Sequence, residues 1–271
     1  MLTAVHSNRP DSIGNRLAAV WRYRELLDSF VVRNLKVKYQ RSLLGFVWTL
    51  VNPLLTVAIL ALVFSHVVRI PLPNYWAFLL SGYFVWNFML YTLNTGTYIF
   101  AEHSRLTRSV AFPSEILVFG AAGSRLLEFA AEILLILAAL VLFHHHYVPS
   151  SFILLPILML IQLLLAIGLA LPIATLSVFY YDVYHALPIA LTSLFYLSPV
   201  FYPASMVPDA ARAFYFLNPI AGLLTLYHQV VYLGQWPAPM LLVGMVLAAL
   251  GIYIVGHAIF NRYAVVFAEI V

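Results

Sequence analysis

Cysteine is absent from this 271-residue sequence, and charge is scarce: only 9% of the residues are Asp, Glu, Lys or Arg. The lack of cysteine excludes a disulfide framework, a thiolate metal site and a cysteine nucleophile. The scarcity of charge excludes an ordinary soluble domain, because the stretch from Ala213 to Asn261 has no charged residue at all. Hydrophobic residues make up 63% of the chain, and the mean hydropathy is +0.95. This composition predicts a membrane protein.

Long apolar runs divide the chain into membrane spans. A helix needs about 20 mainly apolar residues to cross roughly 30 Å of hydrocarbon. On that measure we place six spans, near residues 46–68, 76–100, 118–143, 152–178, 184–202 and 239–260. The runs are continuous rather than alternating, which is typical of helices. We therefore expect an all-α polytopic membrane domain over residues 46–260, followed by a cytoplasmic tail at 261–271.

The basic residues are distributed unevenly between the two ends of these spans. Lys and Arg in short loops are retained on the cytoplasmic side of a membrane. Eight of them lie in residues 1–45, and two more, Arg105 and Arg108, follow the second span. The opposite side would hold only Arg69 and Arg212. This bias predicts that both termini are cytoplasmic.

The segment before the first span, residues 1–45, is neither a plain tail nor a span. Its apolar residues recur at helical spacing, namely Leu17, Val20, Trp21, Leu27, Val31 and Leu35. The basic residues lie elsewhere on the wheel, namely Arg16, Arg22, Arg33 and Lys36. This pattern predicts an amphipathic helix lying in the headgroup plane. Two interpretations stay open: a basic anchor for anionic lipid, or a docking surface for a cytosolic partner.

The loop between the second and third spans, residues 102–115, has the chemistry of a contact surface rather than of a catalyst. It is long enough for a short helix that ends before Pro113. Because a proline disfavours helix at the preceding residue, Phe112-Pro113 should turn the chain back into the membrane. The simpler alternative is that any cytoplasmic loop carries a few basic residues such as Arg105 and Arg108.

Three ionisable residues interrupt the third apolar run. Arg125, Glu128 and Glu132 stand at i, i+3 and i+7, so they share one helix face, and Arg125 can pair with Glu128. Ionisable groups at this depth are costly and face a bundle interior, a cavity or a partner. A proton relay is one hypothesis. We favour a structural ion pair, because no second buried carboxylate or histidine on another span obviously completes a relay.

Proline interrupts the connection between the fifth and sixth spans. Pro199, Pro203, Pro208 and Pro219 break the helix repeatedly, yet the segment is too apolar for an aqueous loop. We predict that residues 203–234 re-enter the outer face of the membrane. Re-entrant backbone is tolerated only when it is buried in protein or lines a cavity.

No catalytic, cofactor or metal site is expected in this chain. The consecutive histidines His144 to His146 point apart, so they suit an external loop better than a zinc site. The acidic residues show no paired D-x-D or H-x-x-x-x-D pattern of a membrane transferase. The phosphate-binding G-x-x-x-x-G-K-[ST] sequence is also missing, so any ATP would be bound by another chain.

Aromatic residues make up 15% of the sequence. Many flank or lie within the first, second and fifth spans, namely Trp48, Phe84, Trp86, Phe88, Tyr91, Tyr98, Phe195, Tyr196, Phe201 and Tyr202. Such residues serve as interfacial belts or packing residues in many membrane proteins. Alternatively they line a path along which sugar rings stack, because an aromatic ring offers an apolar face with a polar edge.

A set of motifs, in order along the chain, resembles a known family. The motifs are R-N-L-K-V-K-Y-Q-R-S-L-L-G-F-V-W-T-L-V-N-P-L-L at 33–55, F-P at 112–113, L-S-P-V-F-Y-P at 197–203 and L-N-P at 217–219. They resemble the membrane permease of bacterial polysaccharide-export ABC transporters, the Wzm, TarG and KpsM group. The sequence departs from that pattern in two places. Tyr181 stands where an arginine is often found before the aspartate that follows the fourth span, and an arginine often found after the L-N-P stretch is replaced around Tyr227-His228.

The resemblance implies a homodimer around a central channel, bound to two cytosolic subunits that hold ATP and Mg²⁺. Its cargo would be a lipid-linked glycan of the O-antigen, teichoic acid or capsular type, exported across the cytoplasmic (inner) membrane, with no nucleic acid involved. The loop at residues 102–115 would form a coupling helix that contacts the ATPase, and the amphipathic helix within residues 1–45 would form part of the same contact surface. The implied contact residues are Ser104, Arg105, Leu106, Arg108, Phe112, Pro113, Arg33 and Lys36.

Other functions are weighed against this one. An exporter of drugs or small lipids on the same permease plan would use similar aromatic contacts. A proton-coupled secondary transporter would need broken helices in matching halves and carboxylates that couple transport to protons. Only the cluster of Glu128 and Glu132 supports that alternative.

Overall fold

The computed structural model describes residues 22–40, 42–104, 112–143 and 149–270, and every regular element within them is helical. His144 to His146 lie outside the described residues. In chain order the α-helices are α1 (Arg24–Tyr39), α2 (Trp48–Leu62), α3 (Tyr75–Glu102), α4 (Glu115–Phe143), α5 (Leu155–Phe179), α6 (Val183–Tyr196), α7 (Asp209–Tyr215), α8 (Pro219–Tyr227) and α9 (Pro239–Ile270). The predicted all-α architecture is confirmed for the described part of the chain.

Within the described residues, four helical stretches are long and apolar enough to cross a membrane. They are Gly45–Val67, which joins α2 to its flanking 3₁₀ and π turns, Tyr75–Glu102, Ser150–Phe179 and Pro239–Ala264. They coincide with the first, second, fourth and sixth spans expected from the sequence. The chain is therefore a multi-pass membrane protein.

The other two expected spans have different forms. The third lies within α4, whose 29 residues exceed the length needed to span but include the three ionisable residues. The fifth coincides with α6, which has 14 residues and a length of about 21 Å, short of the roughly 30 Å of hydrocarbon. The count of six spans and the cytoplasmic placement of both termini therefore remain predictions.

Helix α3 is the centre of the bundle. In its most apolar 18-residue window 78% of the residues are buried, whereas the corresponding windows of α2 and α9 are 17% buried. Helices α2, α4, α5, α6 and α8 all contact α3. A helix that is apolar all round can be surrounded in this way, and the helices outside it keep apolar faces exposed, as lipid contact requires.

Helices α5 and α9 cross at backbone contact. A Cβ atom placed on Gly256 would lie 1.9 Å from the carbonyl oxygen of Gly168, and one on Gly168 would lie 2.7 Å from the Cα of Tyr253. Only glycine fits at this crossing. Small residues are a common device for close helix contact in membranes, where association depends on packing rather than on a hydrophobic force.

The proline-rich connection forms two short helices, α7 and α8. Asn218 joins them: its side-chain oxygen accepts from the Ile220 N–H at 3.0 Å and its amide donates to Ser198 Oγ at 2.8 Å. Pro219 is the first residue of α8, where a backbone N–H would have no acceptor within the helix, so its missing N–H costs no hydrogen bond. Residues from Ile220 to Tyr227 are almost all buried against the bundle. This burial meets the condition for re-entrant backbone, and the depth of residues 203–234 in the membrane stays a prediction.

Candidate coupling interface and intramembrane ion network

Helix α1, which the sequence predicts to be interfacial, is docked on α4 through two glycines. Phe30 and Val31 lie over Gly120 and Gly123, and a Cβ on these glycines would come within 2.9 Å and 3.1 Å of the two side chains. The predicted apolar face therefore exists, and its described part meets protein. Leu17, Val20 and Trp21 lie outside the described residues.

Phe30 also joins α1 to both ends of the predicted coupling loop. Its ring lies 5.9 Å from the ring of His103, edge to face, and 6.3 Å from the ring of Phe112. His103 follows the last turn of α3, and Phe112 precedes α4. The described ends of the loop, Ser104 and Phe112-Pro113, are half-buried. Arg105, Leu106 and Arg108 lie outside the described residues.

The opposite face of α1 is exposed. Arg33 and Lys36 are exposed, and the neighbouring Val32 and Val37 are 48% and 66% exposed. Apolar residues between cations on an exposed helix face are typical of an interaction surface. This face lies on the same helix that contacts the loop ends through Phe30.

A network of ion pairs begins where α1 ends. Arg125 donates to Glu128 Oε2 and to Glu132 Oε1, each at 2.8 Å, so the predicted pair is present and a second pair accompanies it. The Lys38 ammonium donates to both oxygens of Glu128, at 2.8 and 2.9 Å. The Tyr39 hydroxyl donates to Glu128 Oε1 at 2.6 Å. Two cations thus balance two carboxylates.

The network links three helices at one level of the bundle. Tyr39 of α1 also shares a hydrogen bond with Thr49 of α2, while Glu128 belongs to α4. Burial and the hydrogen bond to Glu128 raise the pKa of the Tyr39 hydroxyl above its ordinary value, so it keeps its proton throughout the physiological range. A buried charge without such partners would be strongly destabilising, which favours the structural interpretation of the network over a proton relay.

Lys38 and Tyr39 were not singled out from the sequence, although a signal was present. Val31, Leu35 and Lys38 stand at i, i+4 and i+7, so Lys38 lies in register with the apolar stripe of the helix. A lysine in that register is a candidate partner for a carboxylate on the helix against which the stripe packs, and here the partner is Glu128.

The predicted aromatic path divides into buried and accessible residues. Phe84, Trp86 and Phe88 are at most 3% exposed and pack inside the bundle, so a path along the surface of this chain must use the others. Trp48, Tyr91 and Tyr98 are each nearly half exposed. At the other end of the bundle four rings contact one another, namely Phe195, Tyr196, Phe201 and Tyr202.

A multi-pass helical bundle with a further helix docked beside a loop between spans is compatible with a membrane transport subunit. Comparison with known families agrees: residues 25–232 match the family described as ABC-2 type transporter. The match covers more than half of the sequence. The chain belongs to the ABC-2 type transporter family.

Curated relatives match over nearly the whole chain. An O-antigen export system permease protein, RfbA, of Myxococcus xanthus is 30% identical over 253 residues, covering 92% of this chain and 96% of that protein. A protein of the same name from Klebsiella pneumoniae is 27% identical over 252 residues, covering 90% of this chain and 95% of that protein.

Proposed function

We propose that this chain is the permease of an ATP-driven exporter that moves a lipid-linked polysaccharide of the O-antigen, teichoic acid or capsular type across the cytoplasmic membrane. The observation that carries the proposal is similarity along almost the whole chain to permeases named for O-antigen export. The exposed aromatic residues are compatible with such a cargo, because sugar rings present apolar faces that stack on aromatic rings.

ATP would be bound and hydrolysed by a partner. The sequence has no phosphate-binding loop, which supports the binding of ATP and Mg²⁺ by separate cytosolic subunits. In the proposed assembly two permease chains with six spans each form a homodimer, and two ATPase subunits bind to it. Both termini would then face the cytoplasm. The exposed face of α1 with Arg33 and Lys36, together with the loop holding Arg105, Leu106 and Arg108, forms the docking surface.

The contacts of α1 supply a route from that surface into the membrane domain. Closure of the ATPase subunits would press on α1 and the loop, and Phe30 contacts both ends of that loop. Lys38 and Tyr39 connect α1 to α4, and Tyr39 connects it to α2. The nucleotide would thereby bias one of two arrangements of these helices, because a ligand shifts an equilibrium only through differential contacts with its two states.

An exporter of drugs or small lipids on the same permease plan is the alternative. Its cargo would use the same exposed aromatic residues, so the arrangement of Trp48, Tyr91 and Tyr98 does not separate the two. The names of the relatives favour the polysaccharide.

Isolation of the tagged chain from detergent-solubilised membranes of its own host tests the proposal. We expect a stoichiometric ATP-binding subunit in the eluate, identified by mass spectrometry, and ATP hydrolysis that disappears when that subunit is removed. Deletion of the chain should also abolish surface polysaccharide. Recovery of the chain alone, inert towards ATP, would contradict the transporter assignment; an active complex with unchanged surface polysaccharide would favour the alternative cargo.

A further inference from the structure

A polar cavity of about 390 Å³ lies where α1, α2, α3 and α4 meet. Its lining includes Trp48 and Asn52 of α2, Asn87 and Tyr91 of α3, and Arg125 and Glu132 of α4. Volumes of roughly 300–1,000 Å³ are usual for small-molecule sites. Amide and charged side chains inside an apolar bundle mark functional positions by default.

Two buried atoms of the lining have no hydrogen-bond partner. They are Nε of Arg125 and Oε2 of Glu132, whose side chains are only 7% and 1% exposed. An unsatisfied buried polar group costs more than a hydrogen bond contributes, and each one in a native structure calls for an explanation. Both atoms have almost no accessible surface, so a ligand in the cavity would meet the accessible polar groups of the lining instead, chiefly the amides of Asn52 and Asn87.

Accessible aromatic faces complete the lining. Trp48 is 47% exposed and Tyr91 is 46% exposed, although both belong to membrane helices. Two cations lie over the ring of Tyr91, with Lys38 Nζ and Arg125 Cζ 5.4 and 5.1 Å from its centroid, so the face of Trp48 is the freer one. These contacts fix the ring beside the cavity.

The charges around the cavity argue against an anionic ligand. Lys38 and Arg125 are balanced by Glu128 and Glu132 through the ion pairs described above. A phosphate would meet carboxylates that already occupy the cations. A neutral ligand with many hydroxyl groups would instead find the amides of Asn52 and Asn87, which donate and accept hydrogen bonds as a hydroxyl does.

We infer that this cavity is a saccharide-binding subsite for a neutral sugar unit, with the sugar ring stacked on Trp48 and its hydroxyls bonded to Asn52 and Asn87. The inference rests on the proposed function, because a glycan is the cargo that presents such units. It adds the place within one chain where a sugar unit is held.

Saturation-transfer NMR on the full chain in phosphatidylcholine nanodiscs, which contain no sugar, tests the subsite. The probes are the methyl glycosides of glucose, galactose, mannose and N-acetylglucosamine. We expect at least one to bind, and Trp48→Leu or Asn87→Ala to weaken that binding about tenfold, the upper range for one stacking or hydrogen-bond contact. Trp236→Leu, at an exposed tryptophan outside the cavity lining, is the matched control and should bind as the parent chain does.

The absence of cysteine allows a second measurement that does not depend on the stability of those variants. In Asn52→Cys the single thiol lies in the cavity lining, and the same glycoside should slow its labelling by a maleimide. In the control Ser205→Cys, at an exposed serine outside that lining, labelling should be unaffected.

Absence of binding by all four glycosides, equal binding in the Trp48 and Trp236 variants, or unprotected labelling of Asn52→Cys would each overturn the subsite. These assays contain no ATPase, so their failure is distinct from failure of the proposed function. If the ATPase subunit is recovered and polysaccharide is exported while the glycosides do not bind, the subsite is wrong and the exporter stands.

Discussion

The Lys38 ammonium donates hydrogen bonds to both carboxylate oxygens of Glu128, at 2.8 and 2.9 Å, although 90 residues separate Lys38 from Glu128 in the sequence. Glu128 is 3% exposed, whereas Lys38 is 47% exposed. The ion pair therefore joins the C-terminal end of α1 to a buried residue of α4. It connects α1 directly to the charged residues of α4.

Replacing Lys38 by Met should loosen α1 without unfolding the bundle. Because the lysine is half exposed and Glu128 keeps Arg125 and Tyr39, we expect a loss of only about 1 kcal/mol in stability. Export should fall much further, because the ion pair that couples the end of α1 to α4 is lost while the packing of α1 remains. Surface polysaccharide in a complemented deletion strain and the heat stability of the purified chain measure the two effects.

Lys36→Met is the matched control, since Lys36 lies on the same helix and is exposed. The double variant Lys38→Met with Glu128→Gln should be less impaired than the sum of its parts, as coupled residues are. Full export by Lys38→Met would argue against this pair as a connection.

Arg125 should matter far more for stability than an exposed arginine does. Replacing Arg125 by Leu leaves Glu128 with a weaker set of partners and Glu132 without its cation, and removing one partner of a buried pair costs about 3–5 kcal/mol. Arg212, paired with Asp209 on the surface, is the control, and Arg212→Leu should cost less than about 1 kcal/mol. Loss of monodisperse protein on heating in detergent compares the two; similar losses would contradict the buried network.

The helix pattern could be predicted from the sequence because it depends on local features, namely apolar runs and their period. The pairing of Arg125 with Glu128 was predictable for the same reason, being one turn apart on one helix. The bonds from Lys38 and Tyr39 to Glu128 could not be placed, since they depend on how α1 docks on α4. Burial of Phe84 and Phe88 was likewise invisible, because a single sequence does not show that α3 lies at the centre.

The docking of α1 over Gly120 should be sensitive to a single methyl group. In Gly120→Ala the new Cβ would lie 2.9 Å from the Phe30 Cβ, so α1 must shift, at a cost of about 1–3 kcal/mol for overpacking. Gly251→Ala is the control, because a Cβ there meets nothing within 4 Å and alanine favours helix by up to about 1 kcal/mol. Thermal unfolding in detergent should move in opposite directions in the two variants, and a shift of the same sign would contradict the close contact.

Charge reversal in the coupling loop should separate ATP hydrolysis from export. Arg105→Glu with Arg108→Glu places two negative charges where the proposed partner meets two positive ones, and unfavourable charge pairs at an interface weaken association and its coupling. The membrane helices are untouched, so the variant should insert and purify normally, and ATPase activity should persist at reduced coupling while surface polysaccharide falls at least about tenfold.

Arg33→Glu with Lys36→Glu should give the same phenotype if the exposed face of α1 belongs to that surface. Arg212→Glu, remote from the loop in the predicted topology, controls for net charge. Normal export in the Arg105 and Arg108 double variant would move the interface elsewhere, and the clustering of Phe30 with His103 and Phe112 would then be packing alone.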